Sequence, residues 1–202
     1  MKRFLVVAAL ALGAVALAAP AAPASVIPSH TVSGSYTGTG TIDGAGGCAF
    51  HTTETATGNI SPFGASTTLA IEFCPTGIVE PRPATGTFLF TGGTGTVGGT
   101  LTGTVQGTDP EPDGFPYHFD LTVTSATGDF ADATGTMALD GFIGFAGLTI
   151  NGNASGTLFY GTPIASTRQD CAGNGWRTLT DANGRSFRNI GQCIAFASMR
   201  TA

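Results

Sequence analysis

The segment TVGGTLTGTV, residues 96–105, decides the fold class of this chain. Threonine stands at positions 96, 100, 102 and 104, while valine, leucine and glycine fill the odd positions between them. Because successive side chains of a β-strand point to opposite faces, this period of two predicts a strand with one apolar face and one hydroxyl-bearing face. An amphipathic helix would instead repeat its apolar residues every three or four positions.

The same alternation recurs along the chain. Residues 35–42, SYTGTGTI, place serine and threonine on one face and tyrosine, glycine and isoleucine on the other. Six more segments are predicted as strands, the last with a candidate interruption at residues 151–152: 49–57, 67–73, 85–91, 119–124, 136–143 and 147–160. The proline-rich stretches 79–84 and 109–116 are predicted loops. No helical period follows the first 24 residues, so we predict no helix there.

About eight antiparallel strands on some 140 residues suit a small barrel or a β-sandwich. The glycines at positions 38, 40, 99 and 103 fall on inward-facing positions of their predicted strands. Glycine inside a strand marks sharp bends or close backbone approach, which the corners of a barrel need. The sequence therefore predicts an all-β protein and favours an antiparallel barrel, with the sandwich as the alternative.

Composition excludes several classes of protein. The chain has 202 residues, of which 42% are hydrophobic and only 10% are charged, and 31 are glycine. This composition argues against helical bundles, coiled coils and disordered chains. The formal net charge is −5, and phosphate binding needs clustered lysine and arginine, so we expect no nucleic-acid partner.

The N-terminal residues resemble a secretory signal. Lys2 and Arg3 precede an apolar run of about 16 residues, which the small residues at 21–24 follow. This run is short for a membrane-spanning helix, so we predict a cleaved signal peptide at residues 1–24. The sequence thus predicts a secreted, extracellular protein that does not insert into a membrane after cleavage.

Export changes the interpretation of the four cysteines, Cys48, Cys74, Cys171 and Cys193. An even number of cysteines in an oxidising compartment predicts disulfides, and three pairings are formally available. We predict sequential pairing, Cys48 with Cys74 and Cys171 with Cys193. A zinc site is disfavoured because there is no CxxC pair and histidine is scarce.

Charge divides the chain into two parts. Residues 25–166 contain eleven acidic residues and a single basic one, Arg82, whereas residues 167–202 contain two acidic residues and five arginines. We predict a barrel domain at 25–166 and a small cysteine-bridged module at 167–202, too short to fold without its disulfide. Trp176 is expected in the core of this module, with exposed stacking on carbohydrate as the alternative.

Two segments resemble known proteins. Residues 121–137, LTVTSATGDFADATGTM, resemble the strand–TGxFxxATG–strand hairpin of secreted eight-stranded barrels akin to allene oxide cyclase and dirigent proteins. In that hairpin Gly128 and Gly135 would permit tight turns, and Phe130 and Ala133 would plug one barrel end. The resemblance implies this fold and carries no catalytic residue.

The C-terminal segments CAGNGWR, residues 171–177, and SFRNIGQCI, residues 186–194, resemble a motif of exported bacterial proteins. That motif reads CxxxGW and then F(K/R)NxGxC(V/I), and this chain inserts residues 180–184 between the halves. The resemblance implies a secreted bacterial protein and attaches no chemistry to it.

The strand phase yields one candidate site. If Phe50 points inward, so does Glu54, and the same alternation turns Tyr36 and Tyr117 into the lumen, where inward glycines would leave room for a ligand. A carboxylate in apolar surroundings has a raised pKa and is suited to anchor a ligand or act as a general base. The alternatives are that Glu54 lies solvated at the barrel rim or forms a structural hydrogen bond with a tyrosine. A bulge of one residue would instead turn His51 inward.

No other catalytic, cofactor or metal site is predicted. His51 and His118 fall on the outer face, and neither a GxSxG motif nor a phosphate-binding loop occurs. Residues 109–114, DPEPDG, with Asp120 resemble the start of a calcium loop, but their prolines and β context are wrong for an EF-hand.

Three functions remain open at this point. The first is a non-enzymatic protein that binds a small apolar ligand or a surface glycan. The second is a structural component of the cell envelope or extracellular matrix, and the third is a cyclase or isomerase acting in the barrel lumen. Nothing in the sequence demands catalysis or a cofactor, so we favour a binding protein, and the oligomeric state is left open.

Overall fold

We describe a computed structural model that covers residues 25–44, 47–77, 80–106 and 114–200. The predicted signal peptide and the acidic residues 109–113 of the calcium-like motif lie outside these ranges. Within the described residues no helix is long and apolar enough to cross a membrane.

Eight strands form a closed antiparallel barrel in which each strand pairs with the next and β8 pairs with β1. This confirms the predicted all-β barrel over the sandwich. The strands are β1 Ser29–Asp43, β2 His51–Ser61, β3 Gly64–Pro75, β4 Arg82–Gly92, β5 Gly95–Val105, β6 Gly114–Thr127, β7 Thr134–Gly144 and β8 Thr149–Phe159.

The up-and-down order gives the barrel two different ends. The connections after β1, β3, β5 and β7 lie at one end, which we call the mouth. The turns after β2, β4 and β6 lie at the other, which we call the closed end, where the chain also enters β1 and leaves β8. A molecule that enters from the mouth therefore first contacts these four connections and the strand ends beside them.

The predicted alternation holds in the strands. On β5, Val97, Leu101 and Val105 are buried, while Thr100 and Thr102 on the opposite face are not. The buried apolar side chains form a continuous core inside the barrel. Burial of apolar surface stabilises the fold by about 25 cal/mol per Å², and closure pairs every strand on both sides.

Several predicted boundaries were wrong in detail. Residues 82–84 and 114–116, predicted as loops, belong to β4 and β6. The candidate break at residues 151–152 does not occur, because Gly152 pairs with Tyr36 of β1 and Gly141 of β7. Phe50 does not point into the barrel: it precedes β2 in the connection at the mouth and is half exposed, although the phase assigned to β2 is right.

The inward glycines permit close strand approach and do not leave empty volume. A Cβ atom on Gly38 would lie 2.1 Å from the carbonyl oxygen of Thr55 on β2. On Gly99 and Gly103 it would lie 2.0 Å from the carbonyl oxygens of Thr122 and His118. The expected lumen cavity beside these glycines is therefore filled by neighbouring backbone, whereas the close backbone approach predicted for them is confirmed.

Aromatic rings fill the closed end. Phe63 stacks on Phe90 with ring centroids 4.8 Å apart, and Phe130 packs against Phe63 at 5.0 Å and against Tyr160 at 5.3 Å. Phe130 and Ala133 are both buried, as expected of a plug. Gly128 has a φ of 62°, a conformation that glycine adopts without strain.

The segment after β8 forms a small second core around a disulfide. Both predicted disulfides are present, Cys48–Cys74 and Cys171–Cys193. The second joins a turn to helix α1, Ile190–Arg200, which contradicts the prediction that no helix occurs. The helix has only 11 residues and is held by its buried side rather than by propensity.

Trp176 is half buried and packs against the edge of this core, so it contributes to the core without being enclosed by it. The fully buried members of the core are Ala165, Cys171, Leu179, Cys193 and Ala197. Backbone hydrogen bonds between Ile164 and Val26 join this segment to the residues just before β1.

We expect replacement of both Cys171 and Cys193 by serine to unfold the C-terminal segment while the barrel persists. The bridge joins residues 22 apart, and closing a loop of that size adds about 3 kcal/mol to the stability of the folded segment. The few buried side chains of this core cannot make up for that loss. Hydrogen exchange measured by mass spectrometry should show lost protection in residues 167–200 alone. The matched control replaces Cys48 and Cys74 and should leave that segment protected; unchanged protection in the first variant would contradict the prediction.

Candidate functional site

An apolar cavity opens at the mouth of the barrel. Its volume is about 280 Å³. Seven of the eight strands and two of the connections at the mouth contribute to its wall. We call this the mouth cavity, and its lining residues are Ile42, Phe50, Thr52, Phe73, Pro75, Arg82, Val105, Phe115, Ile143, Phe145 and Leu148.

The rim of the mouth cavity is itself apolar. Ile42, Phe50 and Phe145 are 44%, 49% and 48% exposed. Phe115 meets Phe145 edge to face, with ring centroids 4.6 Å apart. Isolated surface apolar residues need no explanation, but a cluster around a concave opening is typical of a binding site.

A disulfide fixes the part of the rim that carries Phe50. Cys48 lies two residues before Phe50 and is bonded to Cys74 near the end of β3. The backbone N–H of His51 donates to the carbonyl of Cys48 at 3.3 Å. This connection is therefore anchored on both sides of Phe50, which preorganises its ring at the opening.

Arg82 is the one charged residue of the lining. Its guanidinium carbon lies 5.4 Å from the centroid of the Phe50 ring, a cation–π contact. One terminal nitrogen lies 3.8 Å from a carboxylate oxygen of Glu80. The Nε atom is buried and has no hydrogen-bond partner among the described residues.

The three residues of the predicted lumen site all lie inside the barrel, but they do not line the mouth cavity. Glu54 follows Thr52, a lining residue, by two positions on the inward face of β2. Tyr117 pairs with Val105, which lines the cavity, and Tyr36 lies farther along β1. The structure thus puts the predicted residues in the packed layer beneath the cavity.

Tyr36 and Tyr117 form a buried pair. Their hydroxyl oxygens are 2.7 Å apart, so one hydroxyl donates to the other. A Cβ atom on Gly152 or Gly141 would lie 2.5 Å from the Tyr36 or the Tyr117 hydroxyl oxygen, so glycine is required under each ring. Burial, with the nearby Glu54 carboxyl as a smaller cause, raises the pKa of both tyrosines above their ordinary value.

Glu54 is the most unusual side chain of the interior. It is 1% exposed, and neither carboxyl oxygen has a hydrogen-bond partner among the described residues. Burial raises the pKa of this carboxyl to about 8, because the charged form loses its hydration. Near neutral pH the carboxyl therefore carries a proton.

The histidines on the outer wall join neighbouring strands. The ring nitrogens of His51 lie 2.8 Å from the carboxylates of Asp43 on β1 and Glu72 on β3. The hydrogen bond to Glu72, and to a smaller extent the one to Asp43, raises the pKa of His51. His118 contacts Asp140 on β7 at 2.6 Å, and this bond raises its pKa in the same way.

These histidine contacts place both rings outside, as predicted, and they join neighbouring strands. In the described part of the chain no group of three or more His, Cys, Asp or Glu side chains is arranged so that it could hold a metal ion. Asp120, the described end of the calcium-like motif, lies 3.6 Å from His118 on the outer wall.

Sequence reasoning missed the rim and Arg82. Period-two patterns assign residues to a face, but they do not say which inward residues gather at one end. One signal was available: Arg82 is the single basic residue among positions 25–166. A lone base in an acidic domain is a candidate for a specific contact.

The resemblances of the hairpin and of the C-terminal motif are carried only by residues 121–137, 171–177 and 186–194. The hairpin lies at the closed end and the motif in the C-terminal segment, so neither contributes to the mouth cavity. No protein-family model matches the chain, and no curated protein or solved structure matches it.

Proposed function

We propose that this chain is a non-enzymatic binding protein that holds a small apolar ligand in the mouth cavity. The observation that carries the proposal is a concave apolar site of about 280 Å³ with an apolar rim at one end of a closed barrel. Sites for small molecules are typically preformed, mostly apolar and placed at the mouths of barrels. A ligand that fills this cavity would cover the exposed rings of Phe50 and Phe145.

The rigidity of the wall supports this assignment. Strand pairing holds most lining residues, and the Cys48–Cys74 disulfide holds the connection that carries Phe50. A preformed site binds with little ordering cost. The disulfides also fit an oxidising compartment, and together with the predicted signal peptide they support an exported protein.

Filling the cavity tests the proposal. We expect Val105→Trp to weaken binding of N-phenylnaphthylamine, a neutral apolar fluorophore, by at least about tenfold, because the indole would occupy the site. Fluorescence titration measures the affinity. Leu89→Trp is the matched control, since Leu89 is exposed on the outer face of β4 and lies outside the lining.

Equal affinity in the wild type and the Val105 variant would contradict the proposal. Native mass spectrometry of protein purified from its own host adds a second measurement. A co-purified small apolar molecule that is lost from the Val105 variant identifies the natural ligand class.

A cyclase or isomerase acting inside the barrel is the second candidate, and Glu54 is the observation that favours it. A buried, protonated carboxyl in the same interior as a tyrosine pair is suited to transfer a proton to or from a substrate. Against it, the three side chains are buried below the mouth cavity. A substrate would have to displace Thr52 or Phe73 to reach them, so binding without catalysis remains the favoured function.

A further inference from the structure

The distribution of charge singles out Arg82. Residues 25–166 contain eleven acidic residues but only this one base. Arginine in a barrel domain is ordinarily placed on the outer wall, where water hydrates it. Here the one arginine lines the apolar mouth cavity, with its side chain only 27% exposed.

The guanidinium has unused hydrogen-bonding capacity. Glu80 lies 3.8 Å from one terminal nitrogen, beyond hydrogen-bond distance, so it offsets the charge without accepting a hydrogen bond. The guanidinium carbon lies over the Phe50 ring, which accepts no conventional hydrogen bond from it. The buried Nε–H has no acceptor among the described residues, and an unpaired buried donor is costly.

We infer that the mouth cavity selects apolar molecules that carry one oxyanion group, a carboxylate or a sulfonate, and that Arg82 binds this group. The inference rests on the proposed function and names its ligand class. The planar guanidinium presents neighbouring N–H donors that match two oxygens of such an anion. The apolar body of the ligand would lie against the rings of Phe50 and Phe145.

The alternatives fit the site less well. A neutral apolar ligand would cover the guanidinium and remove water from it without compensating its charge. A cationic ligand would meet the guanidinium at close range in a partly desolvated site, where like charges repel strongly. Of the three classes, only an anionic ligand both accepts hydrogen bonds from the guanidinium and compensates its positive charge.

Two fluorophores with the same aromatic body separate these cases. Anilinonaphthalene sulfonate carries the oxyanion, and N-phenylnaphthylamine lacks it. We expect the wild-type protein to bind the sulfonate about tenfold more tightly than the neutral compound, since a charge-assisted hydrogen bond in a partly exposed site contributes about that factor. Arg82→Gln should remove this preference, so that the variant binds the two compounds with affinities within about twofold of each other.

Arg185→Gln is the matched control, because it removes the same charge from the exposed C-terminal segment and should change neither affinity. Circular dichroism confirms that each variant keeps its strands. Equal binding of both compounds by the wild type, or an unchanged preference in Arg82→Gln, would overturn the inference and leave the proposed function standing. Failure of both compounds to bind would overturn the proposed function as well.

Discussion

Replacing Glu54 with glutamine is expected to remove a large loss of stability that the wild-type protein undergoes as the pH rises from about 4.5 to about 8. The pKa of this carboxyl is about 8 in the folded barrel and 4.5 in its ordinary state. Within this window the unfolded chain releases the proton while the folded protein keeps it. The unfolded state therefore binds fewer protons, and the free energy of unfolding falls with rising pH.

The expected effect is large for one side chain. The difference between the two pKa values corresponds to about 5 kcal/mol across the whole window and about 3 kcal/mol near neutral pH. Glutamine keeps the shape of the side chain and cannot ionise. Near neutral pH the variant should be as stable as the wild type or more stable, even though its buried amide retains a cost.

Urea unfolding at a series of pH values measures this effect. His51 and His118 have raised pKa values and lose stabilising bonds as the pH rises through them, with the same sign as Glu54. The difference between wild type and variant, rather than the slope alone, therefore isolates Glu54. Asp132→Asn, at an exposed carboxylate, is the control; equal slopes for Glu54→Gln and wild type would show that Glu54 is hydrated in the folded state.

The same variant separates binding in the mouth cavity from chemistry deeper in the barrel. Glu54 does not line the cavity, so Glu54→Gln should bind N-phenylnaphthylamine within about twofold of the wild type. A loss of tenfold or more would place the carboxyl in the ligand site and favour the enzymatic alternative.

Replacing Gly38 with alanine is expected to destabilise the barrel by about 3 kcal/mol or more. Gly38 pairs with Ala56, and a Cβ atom on Gly38 would lie 2.1 Å from the Thr55 carbonyl oxygen and 2.5 Å from the Ala56 Cα. Backbone atoms cannot move aside as the end of a flexible side chain does. The β1–β2 pair would have to separate, which costs hydrogen bonds as well as packing.

Thermal and urea unfolding measure the change, with Gly44→Ala as the control. Gly44 directly follows β1, and an added Cβ would meet no atom within 4 Å. Its replacement should alter stability by less than about 0.5 kcal/mol. A Gly38 variant as stable as the Gly44 variant would show that the two strands have room to spare.

These two residues illustrate how much a pattern predicts. The period of two placed Glu54 inside the barrel, although the reason given, an inward Phe50, was wrong. Phe50 lies in the connection before β2 and points to the rim. The phase survived because Thr52, Glu54 and Ala56 are all inward on the same strand, and a strand's own alternation is independent of the loop before it.

The sequence by itself determined the features that depend on near neighbours along the chain. It predicted about eight strands, their inner and outer faces and the sequential disulfides, and the resemblance of the hairpin implied the plug at Phe130. It missed helix α1, because an 11-residue segment that depends on packing carries little helical signal of its own.

Only the tertiary structure decided where inward residues meet. Closure and register set the height of each residue along the barrel axis, so they brought Arg82, Phe50 and Phe145 together from three distant segments. They also filled the space beside Gly38 with the backbone of β2, so the cavity lies at the mouth and not in the lumen. Alternation assigns a face, whereas a cavity depends on atoms from every strand around the closed sheet.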